Sequence, residues 1–205
     1  MKNILITQIC DFNNSTGYTF SLSKDWYDYA NKLKFNIIPY NYKITNQNIK
    51  KLKIKGLILS GGNDIFKVKK NKANYFRDQI ESKALKFFIK NKIPILGVCR
   101  GFQFIASKFG ADLQKCNNHV KVNHKLSLND NNYIQIKDLN VNSYHNFAIK
   151  YLPGTFKVIS VSSDKKSIEI AEYKKKKILC FMFHPERKNL SQTKIDSFFK
   201  SFFKI

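Results

Sequence analysis

The segment Ile93-Pro94-Ile95-Leu96-Gly97-Val98-Cys99-Arg100-Gly101-Phe102-Gln103 carries the clearest chemical signal in this 205-residue chain. An aliphatic run enters Gly-x-Cys-x-Gly and continues as a helical pattern, the layout of a nucleophile elbow with cysteine as the nucleophile. Glycines are needed because the turn is tight and its neighbours pack closely. The cysteine then projects from the carboxyl end of a strand, beside the N-terminus of the next helix. That position lowers a thiol's pKa and offers backbone N–H groups to a developing oxyanion. The plain alternative is a buried core cysteine between two glycines; the elbow context is the more specific reading.

A nucleophilic cysteine needs a base, and the base needs an orienting group. Of the four histidines, His184 sits in Phe181-Met182-Phe183-His184-Pro185-Glu186, just beyond an apolar run. In extended chain, positions i and i+2 project to the same side, so Glu186 can reach His184 across a proline that stiffens the turn. Alone, His-Pro-Glu is a weak signal; downstream of an elbow it supplies base and orienter together. Ser60-Gly61-Gly62-Asn63-Asp64 follows another buried run, and its glycines can turn N–H groups into a cleft as the second half of an oxyanion hole. An ordinary glycine turn is the equal alternative at that position.

These segments must be held by a scaffold, and the N-terminal half reads as one. Strand-like runs at Asn3 to Ile9, Phe35 to Tyr40, Gly56 to Ser60 and Ile93 to Val98 alternate with helical patterns. Trp26, Tyr29, Ala30 and Leu33 recur at i, i+3, i+4 and i+7, a weak helix follows Thr45, and a long one is expected over 74–91. Strands alternating with helices imply crossover units and a mostly parallel sheet flanked by helices. After Gly110 the pattern changes. Tyr133 to Ile136, Phe156 to Val161, Ser167 to Tyr173 and Ile178 to Phe183 are short runs between Asn- and Asp-rich turns, as in added antiparallel hairpins. Ile195, Phe198, Phe199, Phe202 and Phe203 mark a last amphipathic helix. With no linker and no repeat, residues 1–205 read as one α/β domain.

The balance of 37 basic against 14 acidic residues gives a net charge of +23 and invites a nucleic-acid reading. Only Arg77, Arg100 and Arg187 are arginine, however, and the scattered lysines accompany abundant Asn, Ile and Phe. A/T-rich coding explains that mixture better than selection for phosphate contacts, which favour the planar guanidinium. A solvated lysine surface is expected, with no nucleic-acid partner. A 43% hydrophobic composition excludes a disordered basic tail, no apolar run reaches membrane-spanning length, and the first residues are too short an apolar stretch for a secretory signal. Four dispersed cysteines fit reduced thiols and a cytoplasmic location.

The GGxD-type loop, the Gly-x-Cys-x-Gly-x-Gln elbow and the His-Pro-Glu occur in the order and spacing of a known group. On them the chain resembles the class I (triad) glutamine amidotransferase superfamily over nearly its whole length. Arg77, Asp78 and Glu81 as Arg-Asp-x-x-Glu, and Val141-Asn142-Ser143-Tyr144-His145, are similar to its free-standing γ-glutamyl hydrolases. The resemblance implies a flavodoxin-like, class I glutamine amidotransferase-like fold. It also implies Cys99 as nucleophile, His184 as acid/base and Glu186 as its orienter. The N–H groups of Arg100 and of Gly61 or Gly62 would hold the oxyanion, with Gln103, Asn146 and Phe147 lining a glutamyl pocket. Where those hydrolases continue with His-Gln after His145, this chain has Asn146 and Phe147.

The implied reaction is hydrolysis of a small γ-glutamyl amide through a thioester, with an anionic, nucleotide-linked leaving group as one candidate. No cofactor and no obligate synthase partner are implied. A glutaminase subunit feeding ammonia to a synthase is the alternative, and a binding protein with a dead site is disfavoured by the complete triad. Arg77 is expected to meet an anionic substrate or to pack against the elbow. Cys116-Asn117-Asn118-His119 with His124 hints at a metal site, but it lacks a fourth ligand and lies among turns, so no metal is expected. Residues 7–20 read as a polar loop.

Overall fold

The aliphatic runs of the N-terminal half become strands because both of their faces are covered. In the computed structural model, which describes residues 1–131 and 133–205, β1 (Asn3–Ile6), β4 (Asn36–Pro39), β5 (Ile54–Leu59) and β6 (Ile95–Val98) are such strands. Between β1 and β4 lie β2 (Ile9–Asn13), β3 (Gly17–Ser21) and α1 (Lys24–Leu33); α2 (Asn46–Lys51) precedes β5, and α3 (Lys72–Lys90) precedes β6. The C-terminal half adds α4 (Arg100–Lys108), β7 (Leu113–Lys115), β8 (Val120–Leu128), β9 (Asp138–Tyr144) and β10 (Phe147–Ile149). It ends with β11 (Lys157–Val161), β12 (Ile168–Tyr173), β13 (Ile178–Phe181) and α5 (Gln192–Phe203).

One nine-stranded sheet has the order β4-β1-β5-β6-β13-β12-β11-β8-β9. The pairings from β4 through β13 are parallel, and those from β13 through β9 are antiparallel. The expected mostly parallel core with antiparallel additions is therefore present, and β13 joins the two halves. α1 and α5 cover one face, where Trp26, Leu33, Phe198 and Phe199 pack on Ile4, Ile58, Leu96 and Phe181. α3 and α4 cover the other, with Ala84, Phe88, Phe102 and Ile105 on Leu5, Leu57, Leu59 and Ile95. Local caps agree with these boundaries: Ser23 caps α1, and Thr45 with Asn48 forms a capping box on α2.

The chain departs from the sequence reading in three places. Tyr133 to Ile136 is not a strand: the Asn131 side chain accepts the N–H groups of Tyr133 and Ile134, both at 3.0 Å, so local bonds replace a ladder. Tyr133 stacks on Phe198 instead. Residues 7–20 are not a plain loop but contain the β2–β3 hairpin, whose Phe12 and Tyr18 meet each other while Tyr18 meets Phe76 of α3. Finally, the long β8–β9 pair, Val120 to Tyr144, is hidden in the sequence because its outward positions are lysine and asparagine and its apolar alternation is short. No helix among the described residues is long and apolar enough to cross a membrane. The buried residues include no lysine, so the lysine charge lies at the surface, while Arg77 and Arg100 are buried.

Candidate active site

Three adjacent parallel strands bring the three sequence segments to one edge. β5 ends beside β6, with Leu59 opposite Gly97, and β6 ends beside β13, with Val98 opposite Phe181. The Ser60 loop, Cys99 and His184 therefore emerge together at the carboxyl ends of β5, β6 and β13, where open α/β sheets hold their ligands. Cys99 is the residue between β6 and α4 and has φ 50° and ψ −105°, a left-handed conformation that costs a non-glycine residue energy. The fold forces the turn. A Cβ on Gly101 would stand 2.0 Å from the Leu59 carbonyl oxygen, so only glycine lets α4 start this close to β5. Arg100 opens α4, and its N–H has no intrahelical acceptor.

His184 and Glu186 meet as the spacing predicts, Nδ1 to Oε1 at 2.7 Å, both side chains buried. The imidazole lies against the Cys99 thiol. Burial is the largest single influence on that thiol and raises its pKa, but the charge and hydrogen bond of His184, with the charge of His145, outweigh it and leave the thiol below its usual value. For His184 burial works downward and is outweighed by Glu186 and Cys99 together, which push the imidazole up to about 10. Both shifts run toward one pairing, a thiolate beside an imidazolium.

Two asparagines fix this histidine through its backbone. Asn142 accepts the His184 N–H at 2.9 Å and donates to the His184 carbonyl at 2.9 Å, while Asn189 donates to the same carbonyl at 3.0 Å and accepts the Asn142 N–H at 2.8 Å. Asn189 is not a candidate in the sequence, where a lone asparagine after the His-Pro-Glu carries no pattern. Tyr144 sets its ring edge-on to His184, with centroids 5.9 Å apart, and Arg187 covers Tyr144.

The glycine loop is held by Arg77. Its guanidinium donates to the carbonyls of Ser60 (2.8 Å), Gly61 (3.1 Å) and Gly62 (2.8 Å), to the Asn63 side chain, and to Glu81 at 3.0 Å. Glu81 also accepts from Thr7 and pairs with Arg100, which reaches Asp78 as well. Two cations and two carboxylates close on one another, all within or just beneath the loop. Arg77, fully buried and saturated, has no donor left for a substrate, so the anionic-substrate expectation is corrected; its partners are the glycine loop and Glu81 rather than the elbow. On its other side the loop touches the histidine: a Cβ on Gly61 would lie 2.6 Å from His184 Cε1.

The remaining expected residues are less concentrated. Gln103, on α4, donates to the Phe147 carbonyl at 2.9 Å, so Gln103 and Phe147 stand together. Asn146 is exposed, and its carbonyl accepts the Cys116 N–H. A small crevice lined by Ile9, Trp26, Gly61, Gly62, His184 and Glu186 flanks the histidine. A larger polar hollow of about 580 Å³ lies beside the β2–β3 hairpin, lined by Asp11, Phe12, Asn14, Asn63, Lys69 and Lys72 among others. It adjoins the glycine loop through Asn63, whose side chain accepts the Cys10 N–H.

Comparison with known proteins gives the chain a family and relatives. The family model described as glutamine amidotransferase class-I matches residues 12–205. A γ-glutamyl-CDP-amidate hydrolase of Campylobacter jejuni is 34% identical over 171 residues, 82% of this chain and 81% of that protein. A glutamine-hydrolysing GMP synthase subunit from Methanococcus aeolicus is 28% identical over 158 residues, 76% of each. Among solved structures, a GMP synthase subunit from Thermoplasma acidophilum superposes with a TM-score of 0.72 at 22% identity, covering 100% of this chain and 93% of that one, a likeness of fold.

Proposed function

The chain belongs to the class-I glutamine amidotransferase family, and on that premise we propose that it is a free-standing hydrolase that cleaves a γ-glutamyl amide with Cys99, His184 and Glu186. The observation that carries the reading is the convergence of the strained Cys99, the His184–Glu186 pair and the Arg77-held glycine loop on the ends of three neighbouring strands. The Cys99 thiolate attacks the γ-carbonyl carbon, and the carbonyl oxygen becomes an oxyanion held by the N–H groups of Arg100 and of Gly61 or Gly62. As the C–N bond breaks, the His184 imidazolium gives its proton to the departing nitrogen, leaving a glutamyl thioester. Water then loses a proton to neutral His184 and attacks the thioester. Glutamate leaves and the thiolate–imidazolium pair is restored. One oxyanion donor in such a site is worth about 3 kcal/mol, so the loop's placement is a substantial contribution beside the thiol.

For the substrate we propose γ-glutamyl-CDP-amidate, split to glutamate and cytidine diphosphoramidate in capsule phosphoramidate synthesis. The similarity to the Campylobacter hydrolase supports this, as does the hollow beside the hairpin, where Lys69 and Lys72 offer charge to a phosphate-bearing leaving group. The experiment is glutamate release from a panel of γ-glutamyl amides by the purified protein. Preference for the nucleotide-linked amide over simple alkyl amides is expected; equal rates would remove the nucleotide from the proposal. The similarity to GMP synthase subunits favours a second reading, a glutaminase serving a synthase. Turnover of free glutamine that appears only after a synthase is added would establish it instead.

A further inference from the structure

A second cluster of buried titratable side chains lies under the antiparallel half of the sheet. His119 precedes β8, His124 is on β8, His145 follows β9, and Glu169 is on β12. All four side chains are buried, and one donor atom from each falls within 4.8 Å of the others. The sequence displays only the first two histidines; strand pairing supplies the others, and the segment that carries His124 is a strand rather than a series of turns.

The orientation of the rings is the informative part. His119 turns Nε2 to the Asp164 carboxylate at 3.1 Å, and its Nδ1 is buried with no partner. His145 turns Nδ1 to the Phe147 carbonyl at 3.1 Å; its Nε2 lies 3.4 Å from Glu169 Oε1 without forming a hydrogen bond. His124 Nε2 and both Glu169 oxygens are likewise buried and unpartnered. So the outer nitrogens of two rings are held by acceptors, while the inward atoms of three imidazoles and a carboxylate have no hydrogen-bond partner, the one approach among them being the His145–Glu169 ion pair. A buried carboxylate without a donor is costly, and one shared proton can satisfy only a single pair among these atoms. A single dication takes one of these atoms from each of the four residues. Histidine ligands that give their second nitrogen to a carboxylate or a carbonyl are also how metal sites orient their imidazoles.

We propose that His119, His124, His145 and Glu169 bind one transition-metal dication as a closed structural site. Three imidazoles and one carboxylate match zinc; calcium and magnesium want oxygen ligands instead. Donors at the usual zinc distance of about 2.1 Å stand closer together than 4.8 Å, so the side chains rotate inward on loading. The Phe147 carbonyl accepts from both His145 and Gln103, so the ion braces the segment that Gln103 contacts and ties the antiparallel half to α4.

The test is zinc titration of the full-length protein, prepared without a histidine tag and stripped with a chelator, in competition with a chromophoric chelator. One tightly held equivalent per chain is expected in the native protein and in Cys99→Ser. The double variant His119→Ala/His124→Ala should lose it, and Asp164→Asn, at a half-exposed site, should weaken it by about 10- to 100-fold. Cobalt(II) loading should give the visible absorption of a tetrahedral complex, and zinc should raise the melting temperature of the native protein but not of the double variant. If the alanine variant does not fold, Asp164→Asn and the cobalt spectrum decide. No stoichiometric zinc in the native protein overturns the proposal. So does zinc lost in Cys99→Ser, which would put the ion on the nucleophile.

Discussion

At the candidate active site, the guanidinium of Arg77 is used up by Ser60, Gly61, Gly62 and Glu81, and the charges of Arg100, Asp78 and Glu81 close on one another. Under the antiparallel half, His119, His124, His145 and Glu169 are as deeply buried but leave their facing atoms without partners. Both clusters mix cationic or basic groups with carboxylates. In the first, every donor of Arg77 is used and only Arg100 Nε lacks a partner, and the cluster serves to hold backbone, namely the carbonyls of the glycine loop. The second is incomplete, and its completion has to come from outside the chain. A buried polar cluster is therefore read by what its inward atoms lack, since burying such an atom unpaired costs about 1–3 kcal/mol or more.

If the two clusters are separate devices, the largest perturbation of one should leave the other intact. Cys99→Ala should lower glutamate release by about 10⁴-fold or more, with the circular dichroism spectrum and the zinc stoichiometry unchanged. A simultaneous loss of zinc would mean that the two clusters are one site. Glu186→Gln should cost about 10³- to 10⁴-fold in kcat, because the amide lets His184 settle in the wrong tautomer; KM should move little. A loss confined to KM would instead place Glu186 on the substrate.

Arg77→Lys should come next, with a loss of about 10²-fold in kcat, since an ammonium cannot hold three loop carbonyls and Glu81 at once. Its melting temperature should also fall. A variant with unchanged kcat would show that the loop stays in place without the fork. The smallest effect is in pH dependence. Alkylation of Cys99 by iodoacetamide should rise with pH through a midpoint below 9.0, because the paired form is a thiolate. In His184→Ala the lowering partner is gone and burial remains, so the midpoint should move upward. The same midpoint in both proteins would refute the ion pair.

The elbow was legible because its requirements are local: a strand, a glycine whose Cβ would meet Leu59, and a helix start lie within a few residues. His184 and Glu186 were legible for the same reason, their contact being set by a two-residue spacing. The β8–β9 pair was not, because lysine and asparagine at its outward positions hide the alternation. Asn189 was invisible as well; its bonds around His184 and Asn142 arise from a turn of the backbone that no pattern of side chains announces.

What the sequence determined by itself is the strand–turn–helix around Cys99, the His184–Glu186 pair and the parallel α/β frame behind them, since short-range turn geometry and hydrophobic period act within a single segment. Tertiary structure alone decided that Arg77 holds a loop rather than a ligand, and that His145 and Glu169 join two histidines first seen beside Cys116. Such outcomes depend on strand order and register. A residue's neighbours across a sheet come from distant parts of the chain, and only closing the fold reveals which lone pairs are left facing each other.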